Sequence, residues 1–348
     1  MNELQQLCKS FKKDFTPKIQ DAKRPVRYWS EKDVFNGKTT DAYVIILRTK
    51  GCSWALKSGC TMCGYFNDSL WKNVSDTDIA EQFERATGNH TQEKIVKIFT
   101  SGSFFDDKEV SPKIRKTIFK KLAETAEKIS VESRPEFITE KKLSEVKNIF
   151  LDKTFEVGIG LETANDVVRE YAINKGFTFK QYKKVAELIK KQDFKLKTYV
   201  LIKPPFLTEK ESINDSIETA DKIKSYTNSI SFNPTNVQRN TLVEYLWKRR
   251  QYRPAWLWSV VEILKESKKK VKNVRLQCDI AGGGSPRGAH NCRNCDKQVL
   301  KAIESFSLSQ DIKVLDNLDC DCKDKWHDQL DLESMGFGSL TDLSRGYQ

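Results

Sequence analysis

The sequence contains no apolar run that approaches the roughly 18 consecutive residues needed by a membrane-spanning helix. Its first residues also lack the basic-then-apolar pattern of a signal peptide. We therefore expect a cytoplasmic protein with no membrane contact. Histidine is scarce, with three residues in 348, whereas nine cysteines are present. In a cytosolic chain this many cysteines favours metal binding over disulfide bonds.

The charge is strongly unbalanced, with a formal net charge of +12. Such a charge indicates an anionic partner, most often nucleic acid, although a solvated lysine-rich surface is the alternative. Residues 239–275 carry eleven basic residues against three glutamates, interleaved with tyrosines and tryptophans. Cations beside rings that stack on bases suit RNA, although we expect most of the tryptophans to pack inside the protein. The RNA-binding residues predicted from this pattern are Lys248, Arg249, Arg250 and Arg253.

Six short apolar segments alternate with helical segments from residue 43 onward. Regular alternation predicts a parallel sheet with right-handed crossovers. Polar and cysteine residues follow the predicted strands, which is typical of a barrel whose functional residues lie at one open end, its mouth. We therefore predict an α/β fold, a partial (β/α)6 TIM-type barrel over residues 41–238. A short helix and basic arm (1–40) would precede it, and a basic, aromatic and cysteine-rich region (239–348) would follow. The predicted strands are 43–47, 95–100, 129–132, 155–161, 197–202 and 229–232.

Three cysteines, Cys52, Cys60 and Cys63, lie directly after the first predicted barrel strand. Three thiolates can hold a [4Fe–4S] cluster and leave its fourth iron open to another ligand. A structural zinc loop is the alternative, because Cys60-x2-Cys63 alone fits zinc. The segment offers no fourth ligand, however, and the nearest histidine is His90. The open cluster is therefore the favoured prediction.

A second group of cysteines lies near the end of the chain. Two close pairs separated by a helix-sized insert fit a closed tetrahedral zinc site. An auxiliary iron–sulfur cluster and unliganded thiols are the alternatives. The predicted ligands are Cys292, Cys295, Cys320 and Cys322, with Cys278 in reserve. The glycine-rich loop 282–288 is not a phosphate-binding loop, and we expect it beside the mouth, against RNA or cofactor.

Several segments together resemble the archaeal RaSEA family, which supplies the beta subunit of archaeosine synthase within the radical S-adenosylmethionine (SAM) superfamily. The spacing C-x7-C-x2-C is wider than the superfamily's usual C-x3-C-x2-C. The resemblance runs from about residue 20 to the end of the chain. The matching segments are 48–52, 60–65, 100–106, 132–136, 158–163, 233–238, 252–259 and 290–296.

The resemblance implies that Cys52, Cys60 and Cys63 ligate three irons and that SAM chelates the fourth. It places Met62 against the adenine, and Ser101 with Gly102 where the superfamily's Gly-Gly-Glu meets the SAM amine. The acidic residue of that motif is missing here. The further expected contacts to the SAM ribose, amine or carboxylate are Glu132, Arg134 and Glu162, whose alternative reading is ordinary charge pairing at a barrel rim.

The resemblance also implies a reaction. An ArcS-type partner subunit attaches lysine to 7-cyano-7-deazaguanine at tRNA position 15, and the radical SAM lyase then cleaves a C–N bond of this adduct to form archaeosine. A ferredoxin-like electron donor is expected. No general acid or base is assigned, because hydrogen abstraction by a carbon radical needs none. The alternatives are another radical SAM enzyme of tRNA modification and a non-catalytic, zinc-containing RNA-binding protein.

Overall fold

A computed structural model of the protein describes residues 2–12, 20–72, 74–88 and 93–335. Its centre is one curved eight-stranded sheet in which the strands follow each other in chain order. The first two strands are antiparallel, and the second to the eighth are parallel. The strands are β1 (Arg27–Phe35), β2 (Lys38–Ile46), β3 (Ile95–Phe99), β4 (Lys128–Glu132), β5 (Thr154–Glu162), β6 (Lys195–Ile202), β7 (Ser229–Pro234) and β8 (Arg275–Cys278).

Helices connect the parallel strands and cover the outside of the sheet. Short 3-10 helices span Tyr65–Asp68, Pro135–Phe137 and Ile312–Leu315, and a π-helical turn spans Arg169–Ile173. The α-helices are α1 (Glu3–Ser10), α2 (Ser53–Lys57), α3 (Asp76–Thr87), α4 (Pro112–Thr125), α5 (Glu140–Lys147), α6 (Asp166–Val168), α7 (Phe179–Lys191), α8 (Glu209–Ile223), α9 (Leu242–Lys248), α10 (Leu257–Lys270), α11 (Asp296–Ser309) and α12 (Cys322–Ser334). No helix of the described residues is long and apolar enough to cross a membrane.

The six predicted strands and the helices between them are confirmed, and local sequence explains where the helices begin. Ser111 caps α4 ahead of Pro112. Thr139 likewise caps α5. Thr178 and Thr208 begin α7 and α8 with capping boxes, which satisfy backbone groups that helix ends otherwise leave unpaired. The predicted partial barrel therefore forms from locally consistent signals.

The two faces of each strand have different chemistry. On β5, Phe155, Val157 and Ile159 are fully buried in the layer between sheet and helices. The intervening side chains point the opposite way, because strand side chains alternate. There the Glu156 carboxylate accepts from Lys128 of β4 at 2.9 Å, and Lys197 of β6 lies 3.6 Å away. The barrel thus has an apolar outer layer and a charged interior.

The N-terminal arm predicted for residues 1–40 is only partly correct. The short helix is present as α1, but residues 27–35 form strand β1. On β1, Asp33 bonds to Lys97 of β3 at 2.6 Å and to Arg275 of β8 at 2.5 Å. Burial alone would raise the pKa of Asp33, but the surrounding cations hold it well below its usual range. The Asp33–Arg275 pair joins β1 and β8, the two edge strands of the curved sheet, which sequence periodicity could not reveal.

The C-terminal region continues the barrel. Strand β8, which was not predicted, pairs with β7 beyond the expected boundary at residue 238. Buried side chains from this region, including Trp258, Leu276 and Phe306, join the same apolar core as the barrel strands. The three-part division of the chain therefore remains a prediction about sequence character, since its parts share one sheet and one core.

Candidate metal and cofactor site

The unusual residues predicted at the strand ends lie together at one edge of the barrel. The Arg134 N–H, just after β4, donates to the Ser103 hydroxyl at 3.0 Å. A Cβ built on Gly102 would lie 2.6 Å from the Cα of Cys52. The loops after β2 and β3 therefore touch, and only glycine permits their approach.

The wide C-x7-C gap is filled by helix α2, which separates Cys52 from Cys60. Trp54 on this helix donates its indole N–H to the Asn174 carbonyl at 2.8 Å. The Asn174 amide in turn donates to the Gly59 carbonyl at 2.7 Å. The extra residues thus form a short helix whose hydrogen bonds attach the cysteine loop to the segment that follows β5.

The three cysteines of this loop are electrostatic neighbours. Burial, followed by negative charge on Cys60, raises the pKa of the Cys63 thiol. Burial also raises the pKa of Cys52, against the opposing effect of the Arg134 guanidinium. Thiolates that repel one another in a partly buried loop are stabilised by a shared cationic centre, which lowers thiol pKa values. The donor set therefore fits an iron–sulfur cluster with three protein ligands.

Arg134 provides a second test of the fit. Its side chain is 8% exposed, its Nε donates to Glu136 at 2.6 Å, and its guanidinium carbon lies 5.4 Å from the ring centres of both Trp54 and Phe177. One terminal nitrogen is buried without a hydrogen-bond partner among the described residues. A buried guanidinium nitrogen of this kind suits a carboxylate. This observation agrees with the expected contact to SAM.

The two predicted glutamates differ. Glu162, at a left-handed φ of 69°, already pairs with Lys175 at 2.6 Å. Burial raises the pKa of Glu132, which lies beside Tyr199 on the inner face of the barrel. Glu132 is therefore better placed than Glu162 to meet a positively charged group. Both assignments remain predictions.

The remaining predicted SAM contacts lie in the same region. Met62 packs between one apolar cluster that contains Leu201 and another that contains Tyr252. Ser101, half-buried, precedes Gly102 in the loop after β3. These positions are consistent with the expected adenine and amine contacts, and they too remain predictions.

A buried carboxylate that sequence analysis missed lies against the Ser101–Ser103 loop. The carboxylate of Glu109 accepts from the Ser103 N–H and from the Thr49 hydroxyl, each at 2.6 Å. Burial raises its pKa to about 7. Glu109 follows the loop by six residues in a turn, so no motif indicates it. It joins the two loops that carry Cys52 and Gly102.

Helix α1 also reaches the cysteine loop, which sequence analysis missed. The Lys12 ammonium donates to the Ala55 and Ser58 carbonyls at 3.0 and 2.5 Å. Cys8 is buried nearby, where burial and the negative charge of Cys60 raise its pKa to about 11. This thiol of helix α1 is therefore also a neighbour of the cysteine loop.

The second cysteine group forms a compact cluster. Four sulfur atoms lie within 4.8 Å of one another and could hold a metal ion. The Cys292–Cys295, Cys292–Cys320 and Cys295–Cys322 sulfur distances are 3.8, 3.7 and 3.7 Å. Tetrahedral ligands about 2.3 Å from zinc would be about 3.8 Å apart. The spacing of these sulfurs therefore matches a single tetrahedral ion.

The surroundings of this cluster further define it. The Trp258 indole donates to the Cys322 sulfur and the Asn291 amide to the Cys295 sulfur, both at 3.3 Å. Such donors orient thiolate ligands. Cys278, the reserve ligand, is buried at the end of β8 and is not in the four-sulfur cluster. The His290 ring bonds to the Gly288 carbonyl at 2.8 Å.

The predicted RNA-binding residues lie at the end of helix α9 and just beyond it, and they differ in their contacts. Lys248, Arg249 and Arg250 are exposed. Arg253 instead donates to the Pro254 and His290 carbonyls at 2.7 and 2.8 Å, and it stacks on Trp256. Arg253 thus has fewer donors left for a phosphate than its three neighbours.

The tryptophans of the same stretch differ in burial. Trp256 and Trp258 are buried, with 9% and 2% exposure, whereas Trp247 is half-buried. The prediction that most of these rings pack is confirmed.

A partial barrel with three cysteines after its first parallel strand defines a radical SAM protein, and residues 46–215 match the family described as the Radical SAM superfamily. Proteins of this class hold a [4Fe–4S] cluster and SAM. Archaeosine synthase subunit beta of Methanosarcina acetivorans is 41% identical over 90% of this chain and 92% of its own. The same subunit of Thermococcus kodakarensis is 42% identical over 86% and 94%. The chain belongs to the archaeosine synthase subunit beta family.

Among solved structures, Elp3 of Methanocaldococcus infernus is similar at 18% identity, with a TM-score of 0.45. The match covers 67% of this chain and 58% of that one. A likeness at this level carries no argument about substrate or reaction.

Proposed function

We propose that the protein is the radical SAM lyase subunit that completes archaeosine in tRNA. It would cleave a C–N bond of the lysine adduct of 7-cyano-7-deazaguanine at position 15. The observation that supports this most strongly is the three-cysteine loop beside Gly102 and Arg134, in a chain that is 41% identical to archaeosine synthase subunit beta over 90% of its length.

The cofactor assignments follow from the same residues. Cys52, Cys60 and Cys63 would hold the [4Fe–4S] cluster, and the buried Arg134 guanidinium would meet the SAM carboxylate. When bound, the cluster and SAM would together supply a carbon radical that abstracts hydrogen from an aliphatic C–H bond. The lysine adduct has such a bond next to nitrogen.

At the C-terminal end, Cys292, Cys295, Cys320 and Cys322 would hold a structural zinc ion. The sulfur spacing supports this assignment over a [4Fe–4S] cluster, because cluster ligands lie farther apart than the ligands of one ion. The buried Trp258 and Asn291 donors would fix the site.

The partners follow from the proposed reaction. The substrate would be tRNA that an ArcS-type subunit has already modified with lysine, and a ferredoxin-like protein would supply the electron. We expect the protein to act in the cytoplasm, where tRNA is modified. The exposed Lys248, Arg249 and Arg250 would contact the tRNA backbone.

Anaerobic reconstitution tests the enzyme class. Reduced protein with iron, sulfide and SAM should produce 5′-deoxyadenosine, and tRNA bearing the lysine adduct should yield archaeosine by mass spectrometry. If SAM is cleaved but the adduct persists unchanged, the class stands and the substrate assignment is wrong. If SAM is not cleaved under these conditions, the enzyme proposal itself is refuted.

A further inference from the structure

A cleft of about 420 Å³ opens directly beside the three-cysteine loop. One wall contains Gly64, Tyr65 and Asp68, which follow Cys63. The second wall is residues 236–239 after β7, and the third belongs to the glycine-rich loop, residues 282–287. We call this space the amide cleft. Its volume falls within the range of sites that bind small molecules and cofactors.

The walls of the amide cleft are bonded to one another. The Gly64 N–H donates to the Gln238 side-chain oxygen at 2.5 Å. The Val237 N–H donates to the Arg287 carbonyl at 2.7 Å, and the Arg287 Nε donates back to the Val237 carbonyl at 2.8 Å. A ligand would therefore enter a preformed frame, which lowers the ordering cost of binding.

Three side chains that line the cleft have unused hydrogen-bonding groups. The Asn236 amide and the Arg239 guanidinium, which line the cleft, make no hydrogen bond or ion pair to any described residue. The Asp68 carboxylate likewise accepts no hydrogen bond from a described residue, although it lies near the Arg48 guanidinium, which donates to the Asp68 carbonyl at 2.8 Å. The Asn236 amide lies against Gly282, whose φ is +70° and whose missing side chain leaves the amide uncovered. Together these groups provide one acceptor, one donor and one group that is both.

This set complements the edge of a guanine-type base. Such an edge presents two neighbouring donors and one acceptor. Asp68 could accept from the donors, Arg239 could donate to the acceptor, and Asn236 could do either. Proteins that read single bases in RNA bind them when they are splayed out of the stack.

Flanking cations lie next to the cleft. Trp247, near the end of α9, donates to the Pro286 carbonyl of the glycine-rich loop at 3.2 Å. The exposed Lys248, Arg249 and Arg250 follow it directly. They could neutralise phosphates on either side of an extruded nucleotide.

We propose that the amide cleft binds the target base of tRNA, with Asp68, Asn236 and Arg239 on its hydrogen-bonding edge. This proposal rests on the proposed function and adds the base-recognition site. The base would lie beside Cys63 and Tyr65, so that a substituent on its far side can reach the mouth of the barrel.

The test compares two tRNAs that differ only at position 15, one with the lysine adduct and one with adenine. Binding to the full-length, cluster-loaded protein is measured by fluorescence anisotropy. We expect the wild type to prefer the adduct by tenfold or more. Asn236→Ala and Arg239→Ala should reduce this preference toward one without changing the affinity for adenine-15 tRNA. Lys248→Ala, the matched control, should weaken both tRNAs equally.

Two results would overturn the assignment. One is an unchanged preference in both cleft variants. The other is weakened SAM binding in these variants with the preference retained, which would assign the cleft to the cofactor. Conversion of the adduct by wild-type protein is measured in parallel. Conversion without any base preference refutes only the cleft proposal, whereas preference without conversion refutes the proposed lyase reaction and leaves the cleft in place.

Discussion

The two cysteine groups of this protein differ in the number of their sulfur atoms and in the side chains around them. In the C-terminal group, four sulfurs lie within 4.8 Å of one another, and indole and amide donors surround them. In the N-terminal loop, three partly buried thiols lie near Arg134, one of whose nitrogens has no hydrogen-bond partner in the part of the chain that the structure describes. The first arrangement offers four ligands, the number found in structural metal sites, whereas the second offers three and would leave a position for another ligand. The number of cysteine ligands and their surroundings, rather than the presence of cysteine, therefore distinguish a predicted structural metal site from a predicted reactive one.

The largest effect is expected from Cys60→Ala. Loss of one of three cluster ligands should abolish reductive SAM cleavage and the brown 4Fe–4S chromophore, while the circular dichroism spectrum stays native. Cys8→Ala is the matched control, because Cys8 is buried beside Cys60 but is not a predicted ligand. An active Cys60→Ala protein, or an inactive Cys8→Ala protein, would contradict the division between the two thiols.

At the C-terminal cysteine group, we expect a substitution to lower stability and leave the 4Fe–4S cluster in place. Cys295→Ala should release zinc and lower the melting temperature by about 10 °C or more, because binding of a structural metal contributes directly to folding. The 4Fe–4S absorbance per folded chain should persist. Cys278→Ala, buried but outside the cluster, should keep its zinc by elemental analysis. Equal zinc loss in both variants would show that the cluster has been misassigned.

A smaller effect is expected from Glu109→Gln, which tests how the open site is positioned. The amide would present a donor to Ser103 N–H or Thr49, and one hydrogen bond would be lost. An unsatisfied buried group of this kind costs about 1–3 kcal/mol, so the dissociation constant for SAM should rise about tenfold. Equilibrium SAM binding and the electron paramagnetic resonance signal of the cluster provide the readouts. Glu124→Gln, exposed on α4, should change neither; unchanged SAM binding in Glu109→Gln would remove Glu109 from the positioning role.

The smallest effect is a difference in pH dependence between the two regions. The pKa of Glu109 is raised to about 7 in the folded protein, so its protonated form stabilises the fold. That stabilisation is full below the ordinary glutamate pKa of about 4.5 and falls as the pH rises through about 7. Zinc retention should instead increase with pH, because thiolates bind the metal.

Urea unfolding between pH 5 and pH 7.5 should therefore show a decline in wild type that is smaller in Glu109→Gln. Zinc release to a chromophoric chelator should decrease over the same interval. A pH dependence of unfolding that is identical in the two proteins would contradict the assigned carboxyl pKa.

Much of the fold followed from local sequence. Strand β5 is apolar on its helix-facing side, and α5 starts at a capping threonine, Thr139. The strand-end positions of the cysteine loop, Gly102 and Arg134 followed from the same alternation. Strand β1 could not be predicted, because its partner is chosen by pairing with β2 and by the ion pairs of Asp33. Glu109 and Lys12 were missed because neither belongs to a motif, and each reaches the site only through folding.

Periodicity, spacing and composition were enough to predict the alternating strands and helices, the two cysteine groups and the basic stretch near residue 248. Only the folded structure shows which side chains lie near the cysteine loop and which of their groups have no partner among the described residues. It brought Glu109 against the loop of Cys52, turned Arg253 inward and placed Asn236 beside Gly282. These contacts join residues far apart in the chain, and packing and hydrogen bonding between strand ends, rather than any local preference, select them.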